Sequence, residues 1–408
     1  MRDGTWTAAA IATIAVGCFA SIDPGPDASP VGDGAVPADG GAIEPPDGGP
    51  PPPATRDVDL LLVIDNSSSM TEEQVSFAAA LEAVVTTLAT GDYDQDGDLA
   101  GDGEPGDPDF EPVRSLQVGV VTTDLGTGGF RVPTCVRSDF GDDGLLRTAG
   151  PSDAPGCALA YPPFLTWRPP SAPSDSARDA ACVARVGTGG CGFEQQLEAA
   201  LKALSPAAPT AWTAPGFAPP RFHEGTAGHG ADANEGLVRA GSVLAVALLT
   251  DEEDCSASDP VLYDVTSETY SGPPLSLRCF SFPEALHPVS RFVDGLLQLR
   301  HRPGRLVFVP IAGVPADLMP TPGAPIAWER LTGPTGVRDE RLEPRVDPDS
   351  PTRQIPSCRS SDRGVAMPPV RILQAAEALE ARGARVAVGS VCQDDHAGPL
   401  LRAIVEAL

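Results

Sequence analysis

Two acids and two hydroxyls in the sequence have types and positions that suit a hard divalent cation. Asp65, Ser67 and Ser69 stand at alternate positions directly after one short apolar run, and Asp251 follows another. Carboxylate and hydroxyl oxygens are the ligands that cations such as Mg²⁺ prefer. Both runs suit strands buried in a parallel sheet, and open α/β sheets bind ligands at the carboxyl ends of their strands. We therefore expect the four side chains to meet at one sheet edge.

A plainer interpretation of the first cluster needs no ion. Ser and Asp are common residues at helix starts, where their oxygens accept backbone N–H groups. A long helical pattern opens at Thr71, directly after the serines. The same residues could therefore be a serine-capped helix beside one exposed Asp.

A family resemblance favours the cation. Asp65-Asn66-Ser67-Ser68-Ser69 resembles the Asp-x-Ser-x-Ser motif of von Willebrand factor A domains, and the strand end Thr250-Asp251 resembles their Thr-Asp motif. Thr188, in a glycine-rich loop before a helical pattern, is the best match to their additional Thr ligand, although an incidental Thr in a turn is the alternative. The resemblance implies an adhesion-type site for Mg²⁺ or Mn²⁺ built from Asp65, Ser67, Ser69, Thr188 and Asp251.

The elements around these motifs predict the fold class. Apolar runs indicate strands at 60–64, 115–123, 243–249, 305–311 and 384–391, and helical patterns occupy 72–89, 194–204, 283–300, 371–381 and 398–408. This alternation predicts an α/β fold with a doubly wound, mostly parallel sheet flanked by helices. The domain resembling the A-domain family covers residues 57–408, with insertions at about 92–112, 127–181, 207–236 and 316–366.

An acidic loop after the first helix predicts a second ion. Asp92, Asp94, Asp96 and Asp98 alternate along the chain, and Gly97 stands sixth, as at the start of a calcium loop of EF-hand type. Gly103 occupies the twelfth position, where a bidentate Glu is expected. We therefore expect Ca²⁺ at these four carboxylates, with a solvated acidic loop as the alternative. Two further clusters, Glu252 to Asp254 and the pair His223 and His229, are read as a solvated charge run and exposed loop histidines.

The amino terminus indicates export. Residues 1–18 combine Arg2, an apolar core too short to span a bilayer and the end Ala15-Val16-Gly17-Cys18. That end resembles a bacterial lipoprotein cleavage site, which implies lipid on Cys18, anchoring to the cell envelope at the outer membrane or cell surface, and membrane contact through the lipid alone. Ordinary secretion is the alternative. Residues 19–56 are rich in Pro, Gly and Asp and predict a disordered linker.

The number of cysteines fits an exported protein that is cross-linked by disulfides. Apart from Cys18 there are eight, and no Cys-x-x-Cys spacing suggests zinc. Sequence alone cannot fix the connectivity, and sequential pairing is the simplest hypothesis because each bond then closes a local loop. It gives the pairs Cys135–Cys157, Cys182–Cys191, Cys255–Cys279 and Cys358–Cys392.

Charge and motifs narrow the function classes. The formal net charge of −28 argues against nucleic acid and anionic lipid as partners. There is no Gly-x-Ser-x-Gly elbow and no phosphate-binding Gly-x-x-x-x-Gly-Lys loop, and Ser67 stands where a phosphatase of the haloacid dehalogenase type has a second Asp. We expect a non-enzymatic binding protein whose ion takes an acidic group of a protein or glycan. The alternatives are an envelope assembly factor with a stabilising metal, and a metal-dependent phosphoryl-transfer hydrolase.

Overall fold

A computed structural model describes residues 52–92, 109–321, 323–361 and 364–408. In these ranges the fold is mixed α/β and is built on a seven-stranded sheet. Its strands are β1 (Asp57–Ile64), β2 (Ser115–Thr122), β3 (Phe164–Trp167), β4 (Val243–Leu249), β5 (Leu306–Ala312), β10 (Arg385–Val386) and β11 (Gly389–Ser390). Two short antiparallel pairs, β6 (Val346–Asp347) with β7 (Ser350–Gln354) and β8 (Cys358–Arg359) with β9 (Val365–Ala366), lie outside this sheet.

Strand order makes the sheet doubly wound. The order is β3-β2-β1-β4-β5, and both β10 and β11 pair with β5. All pairings are parallel except that of β2 with the edge strand β3. The order reverses between β1 and β4, which is the point where doubly wound sheets open a crevice for ligands.

Helices cover both faces of the sheet. They are α1 (Thr71–Thr90), α2 (Pro173–Ala184), α3 (Gln196–Leu204), α4 (Arg278–Ser281), α5 (Val289–Leu297), α6 (Trp328–Leu331), α7 (Val370–Ala381) and α8 (Ala397–Ala407). One apolar core joins the sheet to α1, α2 and α8, and another joins it to α3, α5 and α7. Side chains of β1 alternate between them, since Leu60 and Leu62 enter the first core whereas Leu61 and Val63 enter the second. This double burial explains the continuous apolar run of β1.

The structure confirms a mostly parallel sheet flanked by helices and corrects some element boundaries. The predicted insertion at 127–181 contains β3 and most of α2, which belong to the sheet and its helical layer. The predicted last strand at 384–391 consists of two short pieces, β10 and β11. The predicted helix at 283–300 is shorter, because a 3-10 turn at Pro283–Ala285 precedes α5. No helix in the described ranges has the length and hydropathy needed to cross a membrane.

Two of the four predicted disulfides are wrong. The structure joins Cys135 to Cys191 and Cys157 to Cys182, so these two bonds are nested rather than sequential. The reason is α2, which carries Cys182 and places it beside the loop of Cys157. The bonds Cys255–Cys279 and Cys358–Cys392 are formed as predicted.

Candidate metal site at the carboxyl edge of the sheet

The ends of β1 and β4 deliver two polar segments to the same place. Ile64 pairs with Leu249 in parallel register, and the Asp65 amide donates to the Leu249 carbonyl at 2.9 Å. Asp65 and Thr250, the first residues beyond the two strands, are therefore neighbours. They lie at the point where the strand order reverses.

The Asp65 carboxylate is fixed by hydrogen bonds at both oxygens. The Ser67 amide donates to Oδ1 at 2.8 Å, and the Thr250 hydroxyl donates to Oδ2 at 2.6 Å. Thr250 in turn accepts a hydrogen bond of 2.8 Å from the side-chain amide of Gln196. Burial raises the pKa of Asp65, while hydrogen bonds from Thr250 and Ser67 oppose that rise. The carboxylate is held in one orientation without a basic partner in these contacts.

Serine side chains interact with both Asp65 and Asp251. The Ser67 hydroxyl oxygen lies 3.2 Å from the Ser69 hydroxyl oxygen, and the Ser67 side chain opposes the rise of the Asp65 pKa. The Ser69 side chain interacts with the Asp251 carboxyl and opposes the rise of its pKa. The structure therefore brings these four side chains, expected together from the sequence, to one place at the sheet edge. The hydrogen bond from the Ser67 amide to the Asp65 side chain is the local turn contact that Asp residues commonly make with the backbone two residues later.

One buried oxygen of Asp251 lacks a partner. Asp251 is 4 % exposed, and its Oδ1 atom has no hydrogen-bond partner among the described residues. Its position is fixed through its backbone carbonyl, which accepts from the Met367 amide at 2.7 Å. Burial, with the charges of Asp65 and Glu252, raises the pKa of Asp251 to about 9. An unpaired buried carboxyl oxygen is costly, and a bound cation is a partner that would satisfy it.

Two further acids lie beside this group. Burial and the Asp65 charge raise the pKa of Glu252 to about 7. Glu194 is 5 % exposed, and burial with the charges of Asp65, Glu252 and Asp251 raises its pKa well above the ordinary value. Sequence reasoning missed Glu194 as a site residue, because an acid at the start of a helical pattern is indistinguishable from a capping residue.

Thr188 stays outside the cluster. Thr188 is exposed. The loop itself is nevertheless attached to the site through Gln74, whose side chain exchanges hydrogen bonds of 2.9 and 3.1 Å with the backbone of Gly187. The same Gln74 amide donates to the Asp65 carbonyl at 2.9 Å. The structure thus attaches the predicted loop to the edge, while the hydrogen bonds to the Asp65 carboxylate come from Ser67 and Thr250.

The acids after Asp251 are not a solvated run. Asp254 is fully buried, accepts from the Leu197 amide at 3.0 Å and pairs with Arg371 at 3.2 Å. Glu253 accepts from the Arg371 amide at 2.9 Å. These acids therefore bond the first turns of α3 and α7, where free N–H groups favour carboxylates. The predicted solvation is wrong, because both helices start at this edge.

Of the remaining predictions, one about His229 is corrected, and most of the others concern residues that the structure does not describe. His229 is half-buried and lies 3.0 Å from an Asp143 carboxyl oxygen, so the expectation of an exposed loop residue is wrong there. Asp92 follows the end of α1, while Asp94, Asp96 and Asp98 lie outside the described residues. The signal segment 1–18, the lipidation residue Cys18 and nearly all of the linker also lie outside them.

The donor set at the edge is mixed. In the described residues, no three His, Cys, Asp or Glu side chains form a group arranged to hold a metal ion. A cation here would depend on serine hydroxyls together with Asp65 and Asp251, a set that suits Mg²⁺ or Mn²⁺ by ligand type. Comparison of the chain with models of protein families, with curated proteins and with solved structures finds no match.

Proposed function

We propose that this chain is a cation-dependent binding protein with an adhesion-type site of the kind found in von Willebrand factor A domains. Asp65, Ser67, Ser69 and Asp251 would hold Mg²⁺ or Mn²⁺ at the carboxyl edge of the sheet. The bound ion would supply a positive centre for an acidic group on a protein or glycan partner. Export and a lipid anchor at Cys18 would place the domain at the cell envelope.

One observation carries this proposal. The buried Asp251 Oδ1 atom has no hydrogen-bond partner among the described residues, although the Asp251 carboxyl interacts with Ser69 and with the charge of Asp65. Other buried acids of the chain are paired with Arg: Arg239 donates to the Asp59 carboxylate, and Arg291 donates to the Glu198 carboxylate. Among the described residues, the contacts of Asp65 and Asp251 include no Arg, and a cation is the simplest partner for these two acids.

The location supports a binding role. Ligands of doubly wound sheets bind outside the carboxyl ends of strands at the reversal of strand order, and β1 and β4 flank that reversal. Asp65 and Thr250 are the first residues beyond these two strands. The serines belong to a short turn between β1 and α1, and Ser69 is exposed. An ion held here would therefore be reachable by a macromolecule.

Water-proton relaxation with Mn²⁺ tests both the ion and its open position. Mn²⁺ should bind the wild-type protein, and sodium acetate should reduce the relaxation enhancement by displacing bound water. Asp65→Ala should abolish the enhancement. Asp175→Ala, which removes an exposed carboxylate on α2, is the matched control and should leave it unchanged. Equal enhancement in wild type and Asp65→Ala would refute the proposal.

A further inference from the structure

A small cavity lies at the amino edge of the sheet, at the other ends of the strands from the proposed cation site. Its lining includes Ser242 and Arg305, the residues that directly precede β4 and β5. Arg300 and Arg302 line it as well, whereas no Asp or Glu of the described residues does. In a chain with a net charge of −28, this cavity therefore has a basic lining.

The buried Arg300 side chain shares its acidic neighbour with another arginine. Arg300 is 4 % exposed, and its Nε atom has no hydrogen-bond partner among the described residues. An Asp59 carboxylate oxygen lies 3.8 Å from its Nη2 atom, but the same carboxylate also accepts from Arg239. Burial lowers the pKa of Arg300 to about 10; Asp59 opposes this change, and the charges of Arg305 and Arg239 add to it.

The other two arginines add positive charge at the same place. Arg305 donates to the carbonyl oxygens of Ala407 and Gly241 at 2.9 Å, while its buried Nε atom has no partner within the described ranges. Burial lowers the pKa of Arg305, and the charge of the half-buried Arg302 acts in the same direction. A buried donor without a partner is costly, and a bound anion would compensate both the donors and the charges.

The size of the cavity limits what can enter it. Its volume of about 20 Å³ suits one water-sized group, since a water needs about 10–15 Å³ of such space. It is partly open to solvent. Guanidinium groups bind phosphate oxygens through charge-assisted hydrogen bonds. One oxygen of a phosphate group therefore fits inside, while the remaining oxygens stay on the solvent side.

We propose that the amino edge of the sheet binds a phosphate group through Arg300, Arg302 and Arg305. The negative net charge of the chain does not prevent this, because salt screens exposed charges beyond about 10 Å. Pro52 and Ala54, at the end of the predicted linker, line the same cavity. The phosphate group therefore comes either from solution or from a phospholipid headgroup near the proposed anchor. Neither source requires the proposed cation.

Calorimetric titration of the full chain, without added divalent cation and at constant ionic strength, tests the proposal. The probes are sodium phosphate and glycerophosphoglycerol, the water-soluble headgroup of phosphatidylglycerol, with sodium chloride as the reference salt. Wild type should bind at least one probe. Arg302→Gln should raise its dissociation constant by about tenfold or more, as the loss of one charge-assisted hydrogen bond would. Arg302→Lys keeps the charge and should bind more tightly than Arg302→Gln.

Two further measurements separate a specific site from general charge effects. Arg131→Gln removes an exposed arginine from the loop after β2 and should leave the dissociation constant unchanged. Wild type should unfold at a higher temperature in the bound probe than in chloride of equal ionic strength, because a ligand of the folded state stabilises it. This second measurement needs no variant to fold.

The outcomes distinguish the two sources of phosphate. Binding of inorganic phosphate alone assigns the site to free phosphate, and binding of glycerophosphoglycerol assigns it to a lipid headgroup. The proposal is overturned if neither probe binds, if chloride at equal concentration displaces the bound probe, or if Arg302→Gln binds as wild type does. Loss of Mn²⁺ binding at the other edge would leave these results unchanged.

Discussion

The Thr250 hydroxyl donates to the Asp65 Oδ2 atom at 2.6 Å and thereby joins the ends of two neighbouring parallel strands. The same hydroxyl accepts from Gln196, on the first turn of α3. One side chain thus links β1, β4 and a helix of the layer that covers them. The position of the Asp65 carboxylate therefore depends on the neighbouring strand and on α3 as well as on the turn that follows β1.

Thr250→Val should destabilise the protein and weaken cation binding. Valine keeps the shape of threonine but leaves the buried Asp65 oxygen and the Gln196 amide without this partner. An unsatisfied buried polar group costs about 1–3 kcal/mol, so the free energy of unfolding should fall by that amount. Urea denaturation in EDTA measures it. Thr86→Val, at an exposed position of α1, is the control and should change stability little; an equal effect of both variants would contradict the assigned role.

Stability of the metal-free protein should fall as pH rises. The folded-state pKa of Asp251 is raised from 3.8 to about 9 and that of Glu252 from 4.5 to about 7. The folded state therefore holds protons that the unfolded chain releases, and the stability they confer is complete below about pH 4 and lost up to about pH 9. Denaturation in EDTA at pH 6 and pH 8.5 should give the lower unfolding free energy at pH 8.5.

Asp251→Asn should flatten that pH dependence, because asparagine does not titrate. Saturating Mg²⁺ should also flatten or reverse it in wild type, since an ion favours ionised carboxyls. A metal-free protein whose stability rises between pH 6 and pH 8.5 would show that these carboxyls are already compensated within the protein.

The two nested disulfides should differ in their effect on the site. Cys191 follows Gly190, whose amide donates to the Asn66 carbonyl at 2.8 Å beside Asp65. Replacing Cys135 and Cys191 by Ser should lower the unfolding free energy by roughly 2–5 kcal/mol and also weaken Mn²⁺ binding. Replacing Cys157 and Cys182 by Ser is the matched control, since that bond joins α2 to the loop of Cys157 and does not involve the residue after Gly190. Calorimetry that finds equal ion affinity in both double variants would contradict the coupling.

Much of the sheet could be predicted because its central strands are buried on both faces. Val243–Leu249 is a continuous apolar run, and β4 has these bounds. In contrast, β3 has four residues and α2 packs mainly through alanines, such as Ala177 and Ala180, which give little periodic signal. Sequential pairing assigned Cys157 to Cys135 and Cys182 to Cys191, whereas α2 carries Cys182 to Cys157 and leaves Cys135 to Cys191. Short or small-residue elements are recognisable only once the sheet they cover is known.

The site residues that are close in sequence or fixed by strand register were predictable. The residue that the loop between α2 and α3 turns inward was not. Asp65, Ser67 and Ser69 share one turn, and Asp251 is positioned by strand register with β1. Between α2 and α3, however, a local pattern cannot tell whether Thr188 or Glu194 turns inward. That choice depends on tertiary hydrogen bonds to Thr123 and Cys255, which lie far away in the sequence.

The most direct test of the central claim is a crystal structure of the protein soaked in Mn²⁺, with anomalous scattering used to locate the ion. We expect one strong peak at the ends of β1 and β4, about 2.0–2.2 Å from the Ser67 and Ser69 hydroxyl oxygens. The Asp251 Oδ1 atom should then face the ion directly or through one water. A fully soaked crystal in which this edge carries no anomalous peak, and Asp251 keeps its contact with Ser69, would contradict the account.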